Sequence, residues 1–148
     1  MSTAIANKIY NTALGGSPVN PGLTETLSKL LVAQSQHETG NWKHRFFTVG
    51  NNGFGYAYVK GAKYQLPKGG DNADNGIPIA EYPSVENSVY EVIDWIYRRR
   101  KEGKFPKDLS TIRTPEQYAE LLKNAGYYGD TLTNYLRGLK SFFQRSLI

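Results

Sequence analysis

A chain of 148 residues has the length of one domain, enough to bury about two-thirds of its unfolded surface without covalent staples. It holds no cysteine, which excludes thiolate nucleophiles, disulfides and zinc-thiolate clusters, and its two histidines, His37 and His44, are too few for an all-imidazole metal site. The net charge is +5, and 11 tyrosines with 15 glycines suit a surface that grips flat, hydroxylated ligands.

In chain order, a short helix is expected over 3–14, and Leu23, Leu27, Leu30 and Leu31 set a helical period from Leu23 to Thr39, with Gly40 as its left-handed cap. From Arg45 to Leu66 the pattern changes to Phe46, Phe47, Val49, Phe54, Tyr56, Tyr58, Val59 and Tyr64 separated by glycine-bearing turns, which predicts a small β-hairpin region. A turn-forming loop over 67–76 follows, and Ile77 to Tyr82 reads as one more short strand. Beyond Pro83, the residues Val85, Val89, Val92, Ile93, Ile96 and Tyr97 share one helical face that runs into the basic cluster Arg98 to Lys101. Thr114-Pro115-Glu116-Gln117 is a capping box with proline at the first helical position, opening a helix that stops near Gly126. The last helix begins after Asp130 and turns Leu132, Tyr135, Leu136, Leu139, Phe142 and Phe143 inward. The fold class is α+β, mainly α: a single domain over 1–148 with a small β lobe that forms one wall of a cleft.

Glu38 carries the most chemistry. It follows Leu27 by eleven positions and Leu31 by seven, so at about 100° per residue it projects within roughly 20° of both, on the core side. It also stands in the last helical turn, where the helix dipole disfavours a negative charge. Desolvation and dipole both raise a carboxyl pKa, and a carboxylic acid that keeps its proton near neutral pH is what general-acid catalysis needs. A solvent-facing residue on a frayed helix end fits the same position.

Four ordered blocks resemble a known family. Gln34-Ser35-Gln36-His37-Glu38-Thr39-Gly40-Asn41-Trp42 and then Asn51-Asn52-Gly53-Phe54-Gly55 are similar to the E-[ST]-G and N-N-x-F-G signatures of glycoside hydrolase family 73. Glu81 to Ser88 looks like that family's Y-x-S-x-x-x-S helix entry, and Ala125-Gly126-Tyr127, Asp130 and Asn134 to Leu139 resemble its closing block. The resemblance implies a lysozyme-like fold and a peptidoglycan N-acetylglucosaminidase cutting β-1,4 bonds, without cofactor or metal. Glu38 matches the family's catalytic acid and Tyr127 its cleft tyrosine, whose hydroxyl would orient a water or an acetamido group. Asn52, Phe54, Tyr56 and Tyr135 are the implied substrate-binding residues. Gly53 replaces a larger apolar residue, and the interval from Asp130 to Tyr135 is longer than the family's.

The family's second carboxylate has no counterpart in Tyr64-Gln65-Leu66-Pro67, which leaves Asp71 and Asp74 in the next loop as candidates. Three functions stay open: a glucosaminidase, a muramidase or lytic transglycosylase using the same glutamate, and a cell-wall-binding or virion module without turnover. Trp42, Tyr56 and Tyr58 suit either sugar stacking or packing, Trp95 suits the core, and the cluster from Arg98 to Lys101 reads as a solvated helix end rather than a nucleic-acid site. The opening MSTAIANKIYNTALGG lacks the apolar run of a secretory signal, and no stretch approaches the about 18 apolar residues of a membrane span. The expectation is an endolysin-like monomer, made in the cytoplasm and brought to peptidoglycan by a holin pore or a delivery machine.

Overall fold

The computed structural model describes residues 2–70 and 76–148. Asp71 and Asp74 therefore lie outside the described residues. The helices are α1 (Ser2–Gly15), α2 (Glu25–Glu38), α3 (Arg45–Thr48), α4 (Val85–Lys101), α5 (Pro115–Asn124) and α6 (Leu132–Gln144), with a 3-10 turn at Leu109–Thr111. Side-chain caps begin four of them, and the one at Thr114 is the box expected from the sequence. Thr24 accepts from Leu27 N, Ser84 from Asn87 N and Thr131 from Asn134 N, and Thr114 and Gln117 form the full capping box with Pro115 inside it.

Helix α2 is the centre of the molecule. Helices α1 and α6 both pack on it, α4 packs on α1, α5 packs on α6, and the 3-10 turn reaches it as well. Leu27, Leu30 and Leu31 are fully buried as the period requires, but so are Ser28, Gln34 and Ser35, with Gln36 nearly so. A helix so largely enclosed draws most partners for its polar residues from inside the protein, although Ser28 Oγ and Gln34 Nε2 have none among the described residues. Gln34 Oε1 accepts from the Tyr118 hydroxyl of α5 (2.6 Å), and Ser35 Oγ donates to Gly53 O (2.7 Å) while accepting from Trp42 Nε1 (2.9 Å). Thr39 Oγ1 donates back to Ser35 O (2.7 Å) and accepts from Trp42 N (2.8 Å), closing the end of α2.

The β-hairpin expected over Arg45 to Leu66 is not formed, and no strand occurs among the described residues. Arg45–Thr48 is α3, capped by His44, and the expected strand from Ile77 to Tyr82 contributes only an isolated antiparallel bridge between Ala57 and Ile79. Asn51, Gly55 and Gly61 have φ of 56°, 72° and 79°, each turning the chain out of extended geometry before a ladder can grow. The alternating aromatics arise from divided packing. Phe47 and Phe54 enter the main core, whereas Tyr64 and Tyr82 form a second cluster with Ala80. Backbone bonds from Tyr58 N to Pro78 O (2.8 Å), Ala80 N to Tyr56 O (2.9 Å) and Leu66 N to Glu81 O (2.7 Å) thread the later segment between two arms of the loop.

Asn52 does for this lobe what a ladder does for a sheet. Fully buried, its Oδ1 accepts from the backbone N–H groups of Phe54 (3.2 Å), Gly55 (2.8 Å) and Tyr56 (3.3 Å), and its Nδ2 donates to Tyr56 O (3.0 Å) and Ala80 O (2.9 Å). Asn52→Ala strands these buried groups, and a loss of about 2–4 kcal/mol is expected in urea unfolding.

Candidate active site

Glu38 ends α2 at the floor of a cleft of about 480 Å³. Its walls are the turn from Phe54 to Ala57 on one side and Tyr127 to Asp130 with Tyr135 on the other, and His37 joins Glu38 at the floor. Glu38 Oε2 accepts a hydrogen bond from the Tyr135 hydroxyl (2.8 Å). Burial lifts the Glu38 carboxyl from 4.5 to about 7, against the pull of that hydrogen bond, which favours the anion. The result is an acid about half protonated at neutral pH. Gly55, with φ of 72°, passes so close that a Cβ there would sit 3.8 Å from Glu38 Oε1.

Tyr135 is itself held on two sides. Its ring stacks on Tyr128 (3.7 Å between centroids, planes 4° apart) and meets the edge of His37 at 4.6 Å. Tyr128 is anchored by its hydroxyl to Ala119 O (2.9 Å), so α5 fixes the ring that fixes the ring bonded to Glu38. Helix α6 approaches α2 closely enough here that a Cβ at Gly138 would overlap the His37 ring. His37 is held below its ordinary pKa by burial, partly offset by Asp130.

Tyr127 also lines the cleft, but its hydroxyl donates to Phe54 O (2.9 Å), joining the two walls. Its ring lies edge-on to Tyr56 (5.7 Å) and to the buried Trp95 (5.1 Å). Asp130 is the second carboxylate among the described residues of the cleft. Its Oδ1 accepts from Thr131 N (2.7 Å) and Asn134 Nδ2 (3.3 Å), at the start of α6.

The glucosaminidase family described as mannosyl-glycoprotein endo-beta-N-acetylglucosaminidase matches residues 23–146. The chain belongs to this glucosaminidase family. It is a glycoside hydrolase, and the match takes in Glu38 and every cleft residue named above. No curated protein is similar enough in sequence to count as a relative. Among solved structures, a C-terminally truncated glycoside hydrolase domain of FlgJ from Salmonella typhimurium has a TM-score of 0.62 at 22% identity, over 98% of this chain and 97% of that one. The catalytic domain of the autolysin Auto from Listeria monocytogenes gives 0.58 at 17%, over 97% and 84%. A peptidoglycan hydrolase mutant from Sphingomonas sp. A1 gives 0.56 at 18%, over 93% and 88%. At these identities the glucosaminidase domain shares their fold.

Of the residues singled out from sequence, Glu38, Phe54, Tyr56, Tyr127 and Tyr135 meet in the glucosaminidase cleft. Asn52 does not line it, since its amide is spent on the loop behind the wall. Trp42 is buried against Phe47, and the Tyr58 hydroxyl donates to Pro67 O (2.7 Å), so neither is a cleft platform. Tyr128 enters the cleft unannounced, and His37 and Asp130, which the sequence offers only as members of the family-like blocks, join it there.

Two outcomes follow from the Glu38 environment. Between pH 4.5 and about 7 the folded state keeps a proton that the unfolded chain has released, so stability falls as pH rises through that window, by up to about 3 kcal/mol. Glu38→Gln removes the effect: the variant should be more stable than the native protein above pH 7 and equal to it below about pH 4.5 in urea titrations. Tyr135→Phe removes the bond that favours the anion, so the alkaline limb of the pH–rate profile should move to higher pH, with kcat down about tenfold.

Proposed function

We propose that this domain hydrolyses the β-1,4 bond on the reducing side of N-acetylglucosamine in bacterial peptidoglycan, with Glu38 as the general acid. The observation that carries the reading is a single carboxyl at the cleft floor, raised to about 7 by burial and oriented by one tyrosine. Protonated Glu38 gives its proton to the glycosidic oxygen as the bond to the anomeric carbon breaks through an oxocarbenium-like transition state. Tyr135 is the positioning residue. Its hydroxyl donates to one carboxyl oxygen, which directs the proton-bearing oxygen into the cleft. As Glu38 becomes anionic, that bond strengthens, because the acceptor now carries charge.

Tyr127 supports the reaction by holding the Phe54 carbonyl and keeping both walls at a fixed spacing. Tyr56 gives the cleft an aromatic wall against which a sugar lies, whereas the Tyr128 ring is stacked on Tyr135. The positive charge at the anomeric carbon is met by a carboxylate of Asp71 or Asp74, by the substrate's own acetamido oxygen, or by a water held by the cleft tyrosines, and a water finally bonds to that carbon. The double variant Asp71→Asn, Asp74→Asn tests the first source, since a loss above about a hundredfold selects those carboxylates and retained turnover excludes them.

Peptidoglycan as substrate is supported by the glucosaminidase family and by the peptidoglycan hydrolase among proteins of like fold. Access to the wall through a holin pore or a delivery machine, and action as a monomer, belong to the same proposal. No helix among the described residues is long and apolar enough to cross a membrane. Digestion of purified peptidoglycan should leave N-acetylglucosamine at the new reducing ends by mass spectrometry. Muramic or anhydromuramic ends would assign a muramidase or transglycosylase instead, and no release would leave a binding module. Glu38→Gln should lower turnover by about 10²–10⁴-fold with the fold intact.

A further inference from the structure

Tyr56 and Ala57 line two spaces at once: the cleft, and a second hollow of about 320 Å³ reached past the same turn, between the loop and α4. Four charged residues line that hollow, Lys63, Glu91, Asp94 and Arg98, and they are not equally free. Asp94 Oδ1 accepts from Ser17 Oγ (2.5 Å) and Asn20 Nδ2 (2.7 Å), and its Oδ2 from the Tyr64 hydroxyl (2.6 Å). Glu91 Oε1 accepts from the Tyr82 hydroxyl (2.6 Å) and Gln65 Nε2 (2.8 Å). Both carboxylates are thus occupied in tying the loop to α4.

The cations are left over. Asp94 and Arg98 stand at i and i+4 on α4, a spacing that ordinarily pairs them, but Asp94 is turned toward Ser17, Asn20 and Tyr64. Arg98 is exposed and makes no hydrogen bond or ion pair among the described residues. Lys63 has only the face of Tyr64, 5.5 Å from its centroid. The Tyr56 hydroxyl, which divides hollow from cleft, is shut from solvent without a partner. Arg98 and Lys63 keep their donors open to the hollow while the oxygens of Glu91 and Asp94 are taken up within the protein, and a guanidinium favours a ligand with a planar pair of oxygens.

We propose that this hollow is an anion subsite, in which Arg98 and Lys63 bind a carboxylate of the peptide that peptidoglycan carries on the lactyl ether of its alternate sugars. The proposal rests on the peptidoglycan reading above. A glycan lying in the cleft runs past Tyr56 and Ala57, and a substituent on the ring beside them enters the hollow. The lactyl carboxyl group alone would leave most of the space empty, since 320 Å³ holds about ten waters at roughly 30 Å³ each. A peptide fills it and brings its own free carboxylates.

The test compares three substrates with the same kind of bond: peptidoglycan strands with peptides, the same strands after amidase removal of the peptides, which leaves the lactyl carboxylate, and uncharged N-acetylglucosamine oligomers. For the native protein and for Arg98→Ala, Arg98→Lys and Lys63→Ala, the readout is the ratio of kcat/KM with peptide to kcat/KM without. Arg98→Ala should lower that ratio roughly three- to tenfold through KM, Lys63→Ala should lower it less, and Arg98→Lys should restore part of it. Raising the salt concentration should narrow the native preference. An equal loss on peptide-free strands, with the uncharged oligomers unaffected, would make the lactyl carboxylate the ligand and overturn the peptide assignment. An unchanged ratio across all three substrates would overturn the subsite. A native protein that cuts the oligomers but neither form of peptidoglycan would overturn the parent reading, and this one with it.

Discussion

A carboxyl group at the C-terminal end of the most enclosed helix is the constraint around which this domain is built. Burial opposes charge on Glu38 and lifts its carboxyl to about 7, against the pull of the Tyr135 hydrogen bond. To enclose the helix, the chain must also bury Gln34, Ser35, Gln36 and Thr39, and each unpaired polar group there would cost about 1–3 kcal/mol. The partners come from three directions: Tyr118 of α5, the backbone of Gly53 and the indole of Trp42. The polar end of α2 thus ties down α5, the turn at Gly53 and Trp42, and the cleft walls continue from the first two at Tyr127 and Phe54.

The lobe opposite α6 shows how a loop becomes a rigid wall without a sheet. Asn52 gathers the backbone of Phe54, Gly55 and Tyr56 with one side chain and reaches across to Ala80 with the other half of its amide. Gly55 then crosses beside Glu38 without a side chain, and Tyr127 fastens the Phe54 carbonyl from the facing wall. Behind that wall, Glu91 and Asp94 tie the loop down to α4, which frees Arg98 and Lys63 to face outward. One turn thus has two faces, an aromatic one toward the cleft and a charged one beyond Tyr56.

Much of this was legible in local patterns. The capping box at Thr114 and the leucine period of α2 each act over three or four residues, and both stand where the pattern set them. Glu38 was visible because helical geometry carries orientation along a known axis: a residue seven after Leu31 must point nearly the same way. The aromatic alternation over 46–64 was legible but misleading. It has the period of a strand, yet left-handed residues interrupt it, and its rings divide between two clusters.

What the sequence by itself determined is the five longer helices and the carboxyl at the end of the second, since these depend on propensity, capping and period within one turn or two; the short α3 it read as strand. The tertiary structure alone decided what surrounds that acid. Tyr135 lies 97 positions from Glu38 and Tyr127 lies 73 from Phe54, and no local rule reaches so far. It also decided that Tyr127 spends its hydroxyl on a backbone carbonyl while Tyr135 meets the carboxyl, because the crossing of α6 over α2 at Gly138 and the stack on Tyr128 fix which ring faces the cleft floor.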